Sequence, residues 1–584
     1  EYRLTRSQAH RPPLRPPRRS APRPAVFAPM DVISAAAAAA AGPADGETVS
    51  GDIPFSHLLV SFGVIVVESY CARLLELGNA DQLLISGIRA FLQLSFLGFI
   101  LHPIFAASNP GIVFGYIFGF MIMVSAYEAT ARPKIAYPGM LKCAMASLGL
   151  SLLGTGTLLL LIVTPDPWYN AQYLIPLAGM LINNSLSGVA LALNQMMDHL
   201  TNSKEHVEVL LAFGASPWEA AWPGFIKSAQ AALIPAINGM NVIGLVSIPG
   251  MMTGQILGGA SPVKAARYQI VITFLISACT FSSVALICAL TIRAVFDERG
   301  RHATDRMVKQ SRLDIGKLLD PKRCFGFGAK AQPAAGKGAA AGAGAVPLLD
   351  GEVGLPRGTL RLRGAPAPAP GEPVLALDIA GVVAKQRPFE AKLSLRAGEA
   401  ACIMGPSGIG KSTLLKWVSD LQTATASSMK LRGKSSTEMP AQDWRRDVLY
   451  VHQSKAPLPG TPLELVWAVE GLKVNRGRPP LDPKPHMRAL GLSEGFLEQA
   501  WGELSGGEAQ RMMVAVALST RPAVILLDEP TSALDDASKG LVEAALLEVL
   551  RSDVGPSAAL LVTHDKAQAE RLGFSVCEVE EVRS

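Results

Sequence analysis

The sequence is poor in charged side chains and carries no paired cysteine spacing. Only 17% of its 584 residues are charged and 49% are hydrophobic, which indicates a membrane protein of more than one domain. The seven cysteines occur singly, and no C-x-x-C spacing is present. We therefore expect buried, unpaired cysteines, with neither a disulfide framework nor a zinc site.

Acidic residues are scarce at the start of the chain. Residues 1–30 hold seven arginines and one glutamate, which account for the whole net charge of +6. The remainder is close to neutral and offers no face for nucleic acid. Residues 1–29 lack an apolar core, which excludes a secretory signal. We interpret residues 1–55 as a disordered arm, with translation from Met30 or an organelle transit peptide as the alternatives.

A phosphate-binding loop is present at residues 405–412, which read Gly-Pro-Ser-Gly-Ile-Gly-Lys-Ser. The loop follows an apolar, strand-like run and precedes a helical pattern. Glycines let backbone N–H groups turn toward an anion, while Lys411 reaches the β- and γ-phosphates and Ser412 ligates Mg²⁺. The residues expected to bind a nucleoside triphosphate here are Gly405, Pro406, Ser407, Gly408, Ile409, Gly410, Lys411, Ser412 and Thr413.

Two neighbouring carboxylates, Asp528 and Glu529, follow four apolar residues. This pattern predicts a buried strand that delivers Asp528 to the Mg²⁺ ion. Glu529 can then orient or deprotonate the attacking water. The pair therefore predicts hydrolysis of the bound nucleotide.

The order of these motifs, with Leu504-Ser-Gly-Gly-Glu508, Ser532-Ala-Leu-Asp535 and His564, resembles the ATPase domain of ABC transporters over about residues 374–582. The resemblance implies that the ligand is ATP and that Gln453 touches Mg²⁺ and senses the membrane domain. It also implies that His564 contacts the γ-phosphate. The catalytic residues are then Glu529 and His564, the Mg²⁺ ligands are Ser412, Gln453 and Asp528, and the further nucleotide-binding residues are Gln453, Ser505, Gly506, Gly507, Glu508 and Asp535.

In this family residues 505–508 close over ATP held by a second copy of the domain. A homodimer is therefore the expected working unit. The family usually stacks an aromatic side chain on adenine after its first strand, but residues 379–387 contain none. Recognition of the base is thus left open.

Seven apolar stretches between residues 58 and 295 predict membrane-spanning helices, since about 20 apolar residues cross a bilayer. Positive charge at Arg132, Lys134 and Lys142 places the connection between the third and fourth stretches in the cytosol. The amino terminus is then outside and the ATPase domain is cytosolic. We expect the plasma membrane, with an organelle membrane as the alternative. The predicted stretches are 58–77, 83–105, 112–131, 140–163, 173–197, 231–257 and 268–295.

Residues 56–296 resemble the Fet-type permeases, the membrane half of a bacterial iron exporter and of plant aluminium-tolerance half-transporters. The resemblance rests on residues 174–180, 243–255 and 261–270. Residues 210–223 resemble the short coupling helix that docks such permeases on their ATPase, with a Glu-Ala-Ala core at 219–221. The local pattern alone fits an ordinary amphipathic loop helix equally well.

The predicted fold is therefore multi-domain: a polytopic α-helical membrane bundle of about seven spans, followed by an α/β P-loop ABC ATPase domain. The predicted domains are an arm at 1–55, a permease at 56–296, a flexible linker at 297–373 and the ATPase at 374–584. The linker assignment rests on its Ala/Gly/Pro-rich composition, which cannot bury a core.

Polar side chains inside the predicted spans are costly in hydrocarbon, so they face a neighbouring helix or a pathway. Glu128, Asn183 and Asn184 are the candidates for a substrate pathway, whereas interhelical hydrogen bonds, such as a Glu68–Arg89 pair, explain such residues structurally. We expect ATP-driven export of a metal ion, first iron and then aluminium. The alternatives are export of a small organic or sugar-nucleotide solute, and a membrane-anchored ATPase that acts on a partner protein.

Overall fold

The computed structural model describes residues 54–77, 80–107, 109–165, 167–302, 307–309, 360–364, 373–383, 387–453, 458–552 and 555–581. Nearly all of the predicted arm and most of the predicted linker lie outside these ranges. So do residues 384–386 of the stretch expected near adenine. The chain divides into two compact units after Leu101.

The first unit contains helix α1 (Phe55–Leu74) and most of helix α2 (Ala80–Ala107). The two helices contact each other through the rings of Phe62 and Phe91, whose centroids are 5.8 Å apart. The Ser69 hydroxyl donates to the carbonyl oxygen of Ala80 at 2.8 Å. Large apolar side chains on both helices are exposed, as expected for helices that face lipid.

The second unit begins with long helices whose lengths fit a bilayer and with two short helices of nine and eight residues. Helix α3 contains a π-helical segment, Gly115–Met121. The helices are α3 (Pro110–Ala131), α4 (Met140–Val163), α5 (Ala171–Asn202), α6 (Lys204–Ala212), α7 (Pro217–Val242), α8 (Gly250–Leu257) and α9 (Pro262–Val295).

Within the described residues, six helices are long and apolar enough to cross a membrane, namely α1 to α5 and α9. The predicted stretch 231–257 is not one continuous helix. Helix α7 ends at Val242, Gly244 adopts a positive φ of 80°, and Pro249 precedes helix α8. The left-handed conformation of Gly244 takes the chain out of the helix two residues after Val242, whereas α7 continues through Pro223 and Pro235. Helix α7 has 26 residues but contains no stretch apolar enough to place it among the six.

A two-stranded antiparallel pair lies beside the start of α4. It joins strand β1 (Ile135–Ala136) to strand β2 (Val308–Lys309). Nearby, the hydroxyls of Tyr137 and Thr291 are 3.0 Å apart. The basic residues around 132–142 and the end of α9 therefore lie on the same side of the helices.

The carboxyl-terminal domain is built on a ten-stranded sheet in the order β8-β7-β4-β5-β3-β12-β6-β11-β10-β9. Strands β12, β6, β11, β10 and β9 run parallel, and every residue of β6, β10 and β11 is buried. The strands are β3 (Leu360–Arg363), β4 (Leu375–Val383), β5 (Arg387–Leu395), β6 (Ala400–Met404), β7 (Ala426–Leu431), β8 (Lys434–Ser435), β9 (Val448–Val451), β10 (Val524–Asp528), β11 (Ala558–Val562) and β12 (Ser575–Glu581).

The helices that follow strands β6 and β11 begin near the carboxyl ends of these parallel strands. This edge is where α/β sheets bind ligands. In the described part of this domain, the α-helices are α10 (Lys411–Val418), α11 (Ala441–Asp447), α12 (Pro462–Glu470), α13 (Lys484–Ala489), α14 (Gly506–Ser519), α15 (Asp536–Arg551) and α16 (Lys566–Leu572).

The predicted linker 297–373 is shorter than expected at both ends. Strand β3 lies in the sheet of the carboxyl-terminal domain, where Leu360 and Leu362 are buried and Arg361 and Arg363 are exposed. This alternation is the pattern of a half-buried strand. At the other end, residues 297–302 contact the same domain, as described below.

Candidate functional site

The loop at 405–410 connects buried strand β6 to helix α10, which begins at Lys411. Gly410 has a φ of 114°, and a Cβ there would lie 2.6 Å from Val383 Cγ1. Only glycine fits that position. Lys411 Nζ donates to the carbonyl oxygens of Gly405 at 2.8 Å and Pro406 at 3.1 Å. The lysine therefore lies against the concave side of its own loop.

Two predicted residues from distant parts of the chain, Gln453 and His564, meet at Glu529. Its Oε1 lies 2.9 Å from His564 Nε2, and its Oε2 accepts from Gln453 Nε2 at 2.6 Å. His564 Nε2 is also 3.1 Å from Lys411 Nζ. Burial lowers the pKa of Lys411, while the carboxylates of Glu529 and Asp528 oppose that shift. The geometry thus joins the loop to the proposed base.

Glu529 is held in an uncommon backbone conformation, with a φ of 49°. Its N–H donates to Val562 O at 3.0 Å. Gln510 of helix α14 donates from Nε2 to the backbone oxygen of Glu529 at 2.8 Å and to that of Gln453 at 3.3 Å. Gln510 was not predicted, because its side chain acts on backbone atoms that no motif identifies. A non-glycine residue with positive φ at such a site is consistent with a functional constraint.

Asp528 ends strand β10 and is only 2% exposed. Its Oδ2 accepts a hydrogen bond from the Tyr450 hydroxyl at 3.0 Å. Its Oδ1 is buried and has no hydrogen-bond partner in the described part of the chain. A buried carboxylate oxygen with an unused acceptor position fits a divalent cation, which takes oxygen ligands.

Residues 505–508 begin helix α14 through a capping box. The Glu508 N–H donates to Ser505 Oγ at 3.3 Å, and the Ser505 N–H donates to Glu508 Oε2 at 2.8 Å. Ser505 and Gly506 are exposed. Within the described residues, the hydrogen bonds of Ser505 stay within the first turn of α14 and do not reach the loop at 405–412. The exposed helix terminus therefore presents its N–H groups outward, where they can meet an anion.

Asp535 lies next to these residues. A Cβ on Gly507 would contact Leu534 at 2.9 Å and the Ala533 carbonyl oxygen at 3.3 Å, so the two segments are closely packed. A hydrogen bond from Ser538 lowers the pKa of Asp535, which precedes helix α15. Residues 505–508, which were predicted to face a second copy, thus pack against the segment that contains Asp535.

Glu208, on helix α6, joins the membrane helices to the carboxyl-terminal domain. Its carboxylate accepts from Lys416 Nζ at 2.8 Å and lies 3.8 Å from His452 Nε2. Glu208 is 8% exposed. Burial opposes its ionisation, but the adjacent His452 ring and the hydrogen bond and positive charge of Lys416 hold the pKa of this carboxyl well below its usual range. The ion pair connects α6 directly to helix α10, which begins at Lys411.

Helix α6, which docks on the ATPase domain through Glu208, precedes the predicted Glu-Ala-Ala core of the coupling segment. We call α6 the docking helix. Helix α6 ends at Ala212, so the Glu-Ala-Ala core at 219–221 lies in the first turn of α7. Glu219 Oε1 still accepts from the Lys473 N–H at 2.9 Å. Gly214 lies between the two, and a Cβ there would be 2.8 Å from Gln442 O. The predicted coupling segment is divided between α6 and α7 because the chain turns at Gly214, which has a φ of 88°.

A second contact follows helix α9. Arg299 Nε donates to Asp420 Oδ2 at 2.8 Å, and Arg301 donates to Asp420 Oδ1. The guanidinium of Arg445 donates to the carbonyl oxygens of Arg299 at 2.8 Å and Gly300 at 3.2 Å. Asp420 is 1% exposed, and burial lowers the pKa of Arg445 to about 10. We call Asp420, Arg299, Arg301 and Arg445 the arginine clasp.

The three predicted pathway residues lie on membrane helices. Glu128 is in the last turns of α3, where its carboxylate is 3.9 Å from the Arg132 guanidinium. Asn183 and Asn184 lie on an exposed face of α5, and Asn184 Nδ2 donates to Met180 O at 2.9 Å. Among the described residues, no group of three or more His, Cys, Asp or Glu side chains is placed to hold a metal ion.

Comparisons with known proteins divide the chain in the same way. Residues 55–296 match the model of the family described as Uncharacterised protein family (UPF0014), and residues 389–532 match that of the ABC transporter family. Protein ALUMINUM SENSITIVE 3 of Arabidopsis thaliana is 34% identical over 238 residues, which are 40% of this chain and 84% of that protein.

Two proteins of Escherichia coli (strain K12) match separate halves of the chain. The probable iron export permease protein FetB is 29% identical over 262 residues, which are 45% of this chain and 99% of that protein. The probable iron export ATP-binding protein FetA is 34% identical over 199 residues, which are 33% of this chain and 86% of that protein. These matches confirm the resemblance to a Fet-type permease joined to an ABC ATPase, and they confirm the predicted fold class.

Proposed function

This chain belongs to the UPF0014 family through its membrane helices and to the ABC transporters through its ATPase domain, and we propose that it couples ATP hydrolysis to export of a metal ion. One observation supports coupling between the permease and the ATPase domain. Glu208 of the permease forms a buried ion pair with Lys416, on the helix that begins at the phosphate-binding lysine. Movement of either domain therefore displaces the other.

Hydrolysis is assigned to the residues that converge on Glu529. Lys411 and the N–H groups of the loop bind the phosphates of ATP. Glu529 holds and deprotonates the attacking water, while His564 contacts the γ-phosphate. Gln453, which donates to Glu529 at 2.6 Å, keeps that carboxylate pointed into the site.

Mg²⁺ is the expected cation beside the nucleotide. Asp528, with its buried and unused Oδ1, would hold it together with Ser412 and Gln453. When bound, the ion would neutralise charge on the phosphate oxygens. Hard oxygen ligands of this kind suit Mg²⁺.

The working unit is proposed to be a homodimer. Ser505 and Gly506 are exposed and present N–H groups outward, as a site that completes the partner's ATP pocket requires. Exposed Asn183 and Asn184 lie within a membrane span, where contact with lipid is costly, so a second copy would also cover them. The solute pathway then runs between the two permeases.

Cysteines at Ser407 and Ser505 are expected to crosslink between two chains when ATP binds, because the loop of one copy then meets residues 505–508 of the other. The measurement is gel mobility after mild oxidation, in a background where the exposed Cys71 is replaced by serine. Replacing Thr437, an exposed residue outside both motifs, in place of Ser505 gives the matched control. Crosslinks confined to a single chain would contradict the dimer.

Iron is the first candidate solute, followed by aluminium and then by a small organic or sugar-nucleotide solute. The proposal draws on the names of relatives, which include a probable iron export permease and an aluminium-sensitivity protein. Carboxylate and amide oxygens, such as those of Glu128 and Asn183, suit hard cations better than thioether sulfur does. The positive charge of Arg132 and Lys134 supports a cytosolic ATPase by the positive-inside rule. Transport is then outward, across the plasma membrane or an organelle membrane.

Glu128→Gln is expected to reduce metal flux more than the double change Met251→Leu/Met252→Leu, because it removes a charged oxygen ligand at the cytosolic end of α3. The measurement is uptake of labelled iron or aluminium into inside-out vesicles, with and without ATP. Arg132→Gln is the control, since it removes the partner of Glu128 and leaves the carboxylate in place. Equal loss in the methionine variant would remove Glu128 from the pathway.

The same vesicles test the function itself. ATP-dependent accumulation of metal by the unaltered protein, absent in Lys411→Ala, would support export. Accumulation of an organic solute alone would replace the metal proposal with the second one. If ATP hydrolysis proceeds without accumulation of any solute, the protein acts on a partner instead.

A further inference from the structure

The two oxygens of the Asp528 carboxylate have different surroundings. Oδ2 accepts the Tyr450 hydroxyl at 3.0 Å, whereas Oδ1 is buried without a partner among the described residues. A carboxylate with one oxygen tied in this way cannot rotate freely about its terminal bond. The hydrogen bond therefore determines which oxygen is available to a cation.

Tyr450 is itself fixed by the sheet. It is buried in strand β9 and lies opposite Leu526 of strand β10, two residues before Asp528. Its hydroxyl is the donor in the contact with Asp528 Oδ2, because an ionised carboxylate oxygen can only accept. Phenylalanine at this position would keep the ring and its packing and would remove only the donated hydrogen bond.

The other side of Tyr450 faces the permease contact. Its ring packs edge-on against the ring of His452, with centroids 5.5 Å apart. His452 Nε2 lies 3.8 Å from the carboxylate of Glu208 on helix α6. Val209 of the same helix and Phe213, the residue that follows its end, line a small cavity together with Tyr450. The side chains of Glu208, His452 and Tyr450 thus connect the docking helix to Asp528.

We propose that Tyr450 is a positioning residue that directs Asp528 Oδ1 toward the divalent cation, and that docking of α6 through Glu208 and His452 sets the position of Tyr450. The inference rests on the proposed ATPase function and adds a regulation to it. The permease would adjust cation affinity at the ATP site through this connection, separately from its ion pair with Lys416.

Tyr450→Phe in the full-length protein is expected to weaken Mn²⁺ binding in the presence of a non-hydrolysable ATP analogue by about 10-fold, since outer-shell partners of metal ligands change affinity by roughly 10–100-fold. Electron paramagnetic resonance of free Mn²⁺ measures the affinity without requiring turnover. The Mg²⁺ concentration for half-maximal ATPase should rise in parallel. Tyr137→Phe is the matched control, because it removes another buried tyrosine hydroxyl, bonded to Thr291, away from the site.

Equal Mn²⁺ affinity in Tyr450→Phe and the unaltered protein would overturn the positioning role. Glu208→Gln should weaken Mn²⁺ binding in the same direction, and an unchanged affinity there would overturn the connection to the permease. If the unaltered protein binds no Mn²⁺ with the analogue, the proposed ATPase site itself is wrong. Failure of this inference and failure of the proposed ATPase function therefore give different results.

Discussion

Replacing Glu529 by glutamine is expected to lower steady-state ATP hydrolysis by about 10²- to 10⁴-fold, the range that a general base contributes. Glutamine keeps the size of the side chain and can still contact Gln453 and His564, but it cannot accept a proton from water. Binding of ATP should persist, because Lys411 and the loop remain. The measurements are phosphate release and nucleotide binding on purified protein.

Two controls separate chemistry from binding. Glu503→Gln changes an exposed carboxylate near the start of α14 and should hydrolyse ATP at the normal rate. Lys411→Ala should weaken ATP binding itself, because it removes the ammonium that meets the phosphates. Normal turnover in Glu529→Gln would refute its assignment as the base.

Asp420→Ala is expected to destabilise the protein by about 3–5 kcal/mol, since removing one member of a buried ion pair leaves the other charges uncompensated. Asp420 is the shared partner of Arg299 and Arg301, and its backbone oxygen also accepts from Arg445. The loss should appear as a lower midpoint of thermal unfolding in detergent. It should also appear as ATPase activity that no longer responds to the permease.

The ion pair between Asp378 and Lys392 supplies the matched control. Its atoms are 3.0 Å apart, but both side chains are exposed. Exposed pairs contribute about 0–1 kcal/mol, so Asp378→Ala should barely change the unfolding midpoint. A similar midpoint for both variants would show that the arginine clasp adds no more than a surface contact.

The nucleotide site was predictable because its motifs are local. The loop at 405–412 and the pair Asp528–Glu529 carry their chemistry in a few adjacent residues, and the parallel sheet brings them to one edge. Whether the predicted residues perform their assigned roles stays a prediction. Tyr450 and Gln510 were not predicted, because their partners, Asp528 and the backbone of Glu529, are distant in the sequence.

The contacts between permease and ATPase were harder to predict. Glu208 sits in an apolar run, and only the fold reveals that it meets Lys416, which is 208 positions away in the chain. The strand at Leu360–Arg363 was missed because the Ala/Gly/Pro-rich composition around it outweighed a four-residue alternation. The interruption after Val242 was missed because hydropathy averages over the Gly and Pro residues that end a helix.

The arginine clasp holds the ATPase domain close to the last membrane helix, in addition to the chain that joins the two domains. Arg299 and Arg301 follow the last membrane helix by only a few residues, and they already anchor the ATPase. We therefore expect the two halves to engage each other as separate subunits would, whether or not residues 310–359 join them.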